Sequence, residues 1–505
     1  MGNFMKKYGL IIALAVLAIL VLLPTPTGLS VAGHRVLALL VFSVIVWMTE
    51  CVSFSTSAMI ILGLIVLLIG FSPDPKTAGK IIGTAPALLQ GLDGFRNTAW
   101  ALVGSAMCIA IAMTKTGLDR RIALNILSVV GAKTSRILIG VFITGFLLSL
   151  IVPSSTARVA CVVPIVMGIV SAFGLEKNSK FSMLLIIAVA QADGIWNLTV
   201  KTAAAQNLVT ANFILKDLKY DVSWGEWFYS AVPFGIVMAV CLYFVLLWAM
   251  PPEVKEIQNG KEIVKEKLNE IGKITMPELK LLIISLILLT FWILEKKTWS
   301  FFGISGDFGK MMIHPFDTSS STILAIMTML IPGVGIIEWG DIEKKLSWGT
   351  LFLFAIGISL GTLISTTGAG KWMGTAIVTI FGLKQASTFM IIAIMAAVLI
   401  IVHLGFASAT ALASAMIPIV IGVFQTLMAE GTLTQHHAVG MTMILQYVVC
   451  FGFILPVNAP QNMIAYGTGT FTTKDFMKVG LPFTVIGYGL VLLFTATYWK
   501  WIDLL

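Results

Sequence analysis

Eleven apolar runs alternate with short polar segments along the chain, at residues 8–23, 36–51, 55–71, 100–113, 183–213, 228–250, 281–294, 321–337, 351–364, 439–466 and 481–501. A helix crosses a bilayer with about 20 apolar residues. Lipid offers no partner to a free backbone N–H or C=O, so runs of this kind predict helices. The first run follows Lys6 and Lys7, and Pro24-Thr25-Pro26 after it holds no small-residue cleavage site. It therefore reads as a retained span rather than a signal peptide.

Two places break the pattern. Between 137 and 175, two apolar stretches flank Pro153-Ser154-Ser155-Thr156-Ala157-Arg158. Each has about 16 residues and reaches roughly 24 Å, short of the roughly 30 Å hydrocarbon core. Lys133 and Arg136 precede the pair, and Lys177 and Lys180 follow it. Basic flanks favour the cytoplasmic side, so both ends belong on one side. That predicts a re-entrant hairpin with its polar tip deep in the membrane. Non-helical backbone at that depth must be buried in protein or line a watery cavity, and hydroxyls with an arginine there make a candidate binding site. A second hairpin is expected at 385–430, with Ala407-Ser408-Ala409-Thr410-Ala411 at its tip.

The two hairpins belong to a duplication. Pro164-Ile165-Val166-Met167-Gly168 matches Pro418-Ile419-Val420-Ile421-Gly422 at an offset of 254. Gln206-Asn207 recurs as Gln461-Asn462, and Thr116-Gly117 as Thr367-Gly368, in the same order. The second hairpin has poor basic flanks, which places it on the opposite side. Two like halves in opposite orientation are the plan of secondary transporters, with the binding site between the repeats and in broken helices. The span at 183–213 carries Gln191, Asp193, Asn197, Lys201, Thr202, Gln206 and Asn207, too polar for a lipid-facing helix. The span at 439–466 is interrupted from Pro456 to Asn462. Both read as broken.

Composition agrees with an all-α polytopic membrane protein: 58% of the 505 residues are hydrophobic and 11% charged, against about 25% charged in a soluble domain. The net charge of +9 sits in loops between apolar runs, which argues against nucleic acid as a partner. Lys and Arg are more numerous in the segments assigned to the cytoplasm. The N-terminus then lies inside and the C-terminus outside. The one soluble-looking stretch, 251–280, reads as an amphipathic cytoplasmic helix with Ile257, Val264, Leu268 and Ile271 on one face. Cys51, Cys108, Cys161, Cys241 and Cys450 are scattered without metal-ligand spacing, so neither metal nor cofactor is expected. An enzyme is not expected either: there is no His-Glu-x-x-His and no second membrane aspartate to pair with Asp193. A channel would be expected to show a ring-forming filter instead of duplicated broken helices.

The paired tips resemble the Ser-Asn-Thr signatures of the divalent anion/sodium symporter family. Trp47-Met48-Thr49-Glu50, Thr116-Gly117-Leu118 and Ser347-Trp348-Gly349-Thr350 extend the likeness over nearly the whole chain. The resemblance implies a homodimer of elevator-type transporters with about eleven spans and two hairpins in an inverted repeat. It implies a scaffold at 1–135 and 281–384, a moving transport domain at 136–250 and 385–505, and a linker at 251–280. Substrate carboxylates and sodium ions would meet the tips and the breaks. Carried over, this points to Ser154, Ser155 and Thr156, to Ser408, Ala409 and Thr410, and to the breaks at 203–207 and 458–462. Asn207, Asn458, Ala459, Pro460 and Asn462 lie in those breaks.

Ser155 and Ala409 stand where the family has asparagine, so each sodium site lacks a ligand side chain that a hard cation would use. Arg158, Lys201 and Thr202 flank the first-half motifs, and His403 lies one turn before the second tip. The Thr-Ala-Arg tip and Thr-Ala-Ala-Ala-Gln-Asn break are most similar to the branch of plastid 2-oxoglutarate/malate translocators and bacterial citrate/succinate exchangers. That branch implies sodium-independent exchange of dicarboxylates such as succinate, malate, fumarate or 2-oxoglutarate in a bacterial plasma membrane. Sodium-coupled di/tricarboxylate symport and citrate/succinate antiport are the alternatives. Arg158 and Lys201 are expected to pair with substrate carboxylates, and Asp193 to pair with one of them. Two such fixed cations would hinder the return of an empty site and so enforce exchange.

Overall fold

The computed structural model describes all residues except 1, 75, 76, 78, 131, 132, 255–265, 267 and 296–315, and the side chains of all of these except 2–5, 130 and 172. The described chain is helical throughout, and nine of its helices are long and apolar enough to cross a membrane. The first four helices are α1 (Gly2–Leu22), α2 (Val31–Thr49), α3 (Phe54–Gly70) and the short α4 (Thr84–Gly91). The first repeat follows as α5 (Thr98–Thr116), α6 (Leu118–Val130), α7 (Thr134–Ile151), α8 (Ser155–Ala172), α9 (Lys180–Thr199), α10 (Ala205–Leu218) and α11 (Trp224–Ala249). Then come α12 (Met276–Ile293), α13 (Thr318–Leu330) and α14 (Trp339–Lys345). The second repeat is α15 (Trp348–Thr366), α16 (Ala369–Ile380), α17 (Thr388–His403), α18 (Ala409–Ala429), α19 (Gln435–Val449), α20 (Pro460–Gly467) and α21 (Thr473–Ala496), closed by α22 (Tyr498–Trp501).

The hairpins and breaks fall where the sequence places them. Three details differ. The basic segment after α5 is the helix α6, and its counterpart after α15 is α16. The run at 321–337 ends its helix at Leu330 and continues as a turn. Ile257 and Val264 of the expected linker helix lie outside the described residues, while Leu268 and Ile271 pack against the core.

Local chemistry sets the helix ends. Ser30, Ser53, Ser179, Ser387 and Asn97 each accept an N-terminal N–H, as capping residues do. Gly117 and Gly368, a repeat pair, both have φ near +77°. That left-handed conformation costs a side-chain-bearing residue, and it lets the chain turn from α5 into α6 and from α15 into α16.

α5 and α15 run antiparallel. Lys115 at the end of α5 meets Asp341 ahead of α15 at 2.6 Å, and Gly94 ahead of α5 donates to Ser359 Oγ late in α15 at 2.9 Å. The two repeats are therefore inverted. They are not equally closed. Gly370 and Gly374 of α16 pack backbone to backbone on Gly422 of α18, so that a Cβ on Gly422 would stand 2.3 Å from Gly370 O. At the equivalent contact between α6 and α8, a Cβ on Gly168 would meet nothing within 4 Å. A cavity of about 470 Å³ lies there, between Arg120 and Leu124 on one side and Cys161 and Pro164 on the other.

Candidate functional site

Both hairpin tips and both helix breaks meet in one place, and the two halves match in conformation. Ser154 and Ser408 hold φ/ψ of −152°/110° and −145°/117° and cap α8 and α18 through Ala157 N and Ala411 N, each at 3.3 Å. Ala204 and Ala459 hold −148°/142° and −149°/140° ahead of α10 and α20. Asn207 Nδ2 donates back to Asn197 O at 2.6 Å, and Asn462 Nδ2 donates to the equivalent Gly452 O at 2.7 Å. α9 survives with so many polar residues because it is buried along almost its whole length.

The first residues of α8, α10, α18 and α20 (Ser155, Ala205, Ala409 and Pro460) all line a cavity of about 560 Å³. Four helix N-termini thus open on one space, α20 with Pro460, which has no N–H, as its first residue. Each carries roughly half a positive charge, so together they offer about +2 to an anion. Ser154, Thr156, Ser408, Thr410, His403 and Ala459 also line the cavity, as do Asn197, Gln206, Gln461 and Gly452. Facing them are Phe54, Met107, Ala110, Thr114 and Thr350, with the exposed Lys345 as the charged side chain on the wall.

Asn197 is absent from the sequence-expected site, and Gln206 and Gln461 enter it only as members of the breaks at 203–207 and 458–462. The signal for them was present: Gln206 and Gln461 are a repeat pair, and Asn197 is one of the polar residues of a membrane helix. Gln206 joins the halves, its Oε1 accepting from Thr410 Oγ1 of the opposite tip at 3.5 Å.

Six expected residues do not line the cavity. Arg158 is buried behind the first tip, with all three guanidinium nitrogens spent. Nε donates to Asp193 Oδ1 at 2.7 Å, Nη1 to Val152 O at 2.6 Å and Ala203 O at 3.0 Å, and Nη2 to Asn197 Oδ1 at 2.5 Å. It clamps the tip to the break. Lys201 points the other way, its Nζ donating to Val222 O at 2.5 Å, and Glu295, Glu226 and Asp317 are the acids that act on its charge. Thr202 accepts from Trp224 Nε1 at 3.2 Å. Asn458 clamps the second tip, donating to His403 O at 2.9 Å and Phe406 O at 3.1 Å. Asn207 and Asn462 brace their own breaks.

These placements correct the picture of two uncompensated cations barring an empty site: Arg158 has its own buried acid, and Lys201 lies among several. His403 Nε2 meets Asn458 O at 3.3 Å. A carbonyl only accepts, so the proton sits on Nε2, and Nδ1 has no partner among the described residues.

The cavity lies toward the start of α15 and the end of α5. The opposite end is closed by polar contacts from α10. Lys216 pairs with Asp93 and reaches Thr362 Oγ1 at 3.2 Å. Ser365 Oγ donates to Asp217 at 2.8 Å, and Asn97 Nδ2 to Asn212 Oδ1 at 2.8 Å. Burial alone would raise the Asp93 carboxyl. The hydrogen bond and charge of Lys216, with those of Arg96, hold it below the usual carboxylate range.

The profile of the family described as the sodium:sulfate symporter transmembrane region matches residues 5–505. A Cupriavidus necator protein described as a membrane protein is 46% identical, over 98% of this chain and 93% of its own length. The sodium-dependent dicarboxylate transporter SdcS of Staphylococcus saprophyticus is 26% identical, over 95% of this chain and 88% of its own. Among solved structures, the Alcanivorax borkumensis YdaH transporter superposes with a TM-score of 0.51 at 12% identity, covering 88% of this chain and 97% of that one. Neisseria gonorrhoeae MtrF, described within a class of antimetabolite efflux pumps, does so with 0.54 at 12% identity, covering 89% and 96%. At that identity the two structures speak to the fold alone.

Proposed function

The chain belongs to the sodium:sulfate symporter transmembrane family, and from the premise that it is a membrane transporter we propose that it exchanges dicarboxylate dianions without sodium. The observation that carries this reading is a pair of basic side chains on equivalent carbonyls. Arg158 Nη1 donates to Ala203 O in the first break, and His403 Nε2 to Asn458 O in the second. Ala203 and Asn458 are repeat equivalents. Backbone oxygens of this kind are what a bound sodium would take. Here each already holds an N–H, Ala409 has no side-chain oxygen, and Ser155 offers a hydroxyl in place of the family's amide oxygen.

Exchange follows from the membrane potential rather than from trapped charge. One charge crossing 100 mV is worth about 2.3 kcal/mol, so a dianion entering a negative interior alone climbs about 4.6 kcal/mol. With no co-ion to offset that, uptake runs only against the exit of another dianion. The size of the cavity and the four helix N-termini suit a four- to six-carbon dicarboxylate such as succinate, malate, fumarate or 2-oxoglutarate. In this reading 136–250 and 385–505 form the moving domain and 1–135 and 281–384 the dimeric scaffold. The basic end of α5 lies inside, so the cavity faces the cytoplasm.

The name of the Staphylococcus saprophyticus relative supports a second reading, sodium-coupled dicarboxylate symport. Uptake of labelled succinate into succinate-loaded proteoliposomes separates the two. Replacing sodium by choline leaves the rate unchanged if the chain is an exchanger, and a saturable sodium requirement returns it to the symporters.

A further inference from the structure

We propose that the Asn197 carboxamide is a donor-only contact to one substrate carboxylate, set in that orientation by Arg158 and Asp193. The idea rests on the dicarboxylate reading of the cavity and adds a residue to it. Asn197 lines the cavity and is otherwise buried. Its Oδ1 accepts from Arg158 Nη2 at 2.5 Å, and its Nδ2 donates to Asp193 Oδ2 at 3.4 Å. A guanidinium has only donors and a carboxylate only acceptors, so the amide cannot turn over without setting like against like at both ends. Nδ2 carries two protons. One is spent, in a long bond, on Asp193, and the other remains for an acceptor in the cavity.

The repeat sharpens the point. The equivalent position in the second half is Gly452, which lines the same cavity without a side chain. A Cβ there would stand 3.4 Å from His403 Nε2 and 3.3 Å from the Ala459 Cβ, a tight fit on that side. The halves therefore differ here by a carboxamide, as they also do by the hydroxyl of Ser155 against Ala409. The carboxylate at the first tip meets Asn197 together with the Ser154–Thr156 hydroxyls. The one at the second tip meets the Ser408 and Thr410 hydroxyls beside Gln206 and His403, with no side chain at the position equivalent to Asn197. Arg158 is a positioning residue in this scheme, acting through Asn197.

The test uses the purified full-length chain, with fumarate as probe, in calorimetric titration alongside thermal unfolding. Asn197→Asp keeps the shape and the bond to Arg158 but turns the donor into a charged acceptor. Its fumarate affinity should fall at least a hundredfold. Asn197→Ala removes the donor without adding charge and should cost roughly ten- to a hundredfold. Asn197→Asp also sets a carboxylate against Asp193, so its affinity is read on folded protein beside its unfolding midpoint; if Asn197 only braces Arg158, Asn197→Ala lowers the midpoint while binding within about threefold of wild type, and that result, or near-wild-type affinity of folded Asn197→Asp, overturns the proposal. A wild-type chain that binds no dicarboxylate sinks the reading of the cavity itself.

Discussion

Removing the Arg158 side chain should be the most damaging single change at the site, for a reason that has little to do with touching substrate. Arg158→Met would leave the Asp193 carboxylate enclosed with only the 3.4 Å contact from Asn197, and would strip a donor from Val152 O and Ala203 O. Breaking a buried pair from one side costs about 3–5 kcal/mol, two to four decades in an equilibrium constant. Replacing both partners is a different matter, since a neutral pair of similar volume is often tolerated. Arg158→Met with Asp193→Asn should therefore recover most of the loss. The assay is a double-mutant cycle on thermal unfolding in detergent, with fumarate affinity measured on each folded variant. The single variants should unfold well below wild type and the double variant close to it. Because the guanidinium does not reach the cavity, fumarate affinity in the double variant should drop less than tenfold. Equal stability of Arg158→Met and wild type would refute the pairing argument. A hundredfold loss of affinity in the stable double variant would mean that Arg158 bears on the substrate, directly or through the orientation it gives Asn197.

Two further outcomes follow from the asymmetry between the halves. If transport exchanges the conformations of the two repeats, α8 must close on α6 as α18 has closed on α16; Gly168→Leu should then leave folding and binding intact but cut the transport rate at least tenfold, and wild-type turnover would rule that closure out. At the closed end, the half-buried Lys216–Asp93 pair is taken at about 1 kcal/mol, so Lys216→Ala should shift the balance between the two end states roughly fivefold, read as faster modification of a cysteine placed at Thr362. The Asp93 carboxyl is held below its ordinary range by Lys216 and Arg96, so the contact is complete above that range and is lost as pH falls through the lowered value. Labelling at position 362 should therefore rise on acidification in wild type but not in Asp93→Asn, and parallel rises in both would discount the pair.

Much of this was readable in the chain because duplication supplies its own control. The tips at Ser154 and Ser408 and the breaks at Ala204 and Ala459 share dihedral angles to within about ten degrees, as their shared residues and nearly constant spacing imply. Direction was harder. Arg158 stands three residues into α8, and adjacency to the tip says nothing about which acceptors compete for it. Asp193, Val152 O and Ala203 O converge from three segments and win. Lys201 sits in the break, yet a 3₁₀ turn swings it toward Val222. The helix α6 was hidden because a basic amphipathic segment and a loop read alike when charges are counted without periodicity, and α16, with Lys371 as its one charge, fell between the apolar runs. Asn197, one of the polar residues noted in its span, was not singled out because its role depends on Arg158, 39 residues away in sequence, and on Asp193 one turn away on the same helix.

The central claim is exchange without a coupling cation, and one vesicle experiment tests it directly. Purified protein is reconstituted in choline buffer, into vesicles that are either loaded with unlabelled succinate or left empty, and labelled succinate is offered outside with an inside-negative potential. The account predicts rapid uptake into loaded vesicles and almost none into empty ones, with no change when sodium replaces choline. Comparable initial rates into empty and loaded vesicles, or uptake that appears only with sodium, would contradict it.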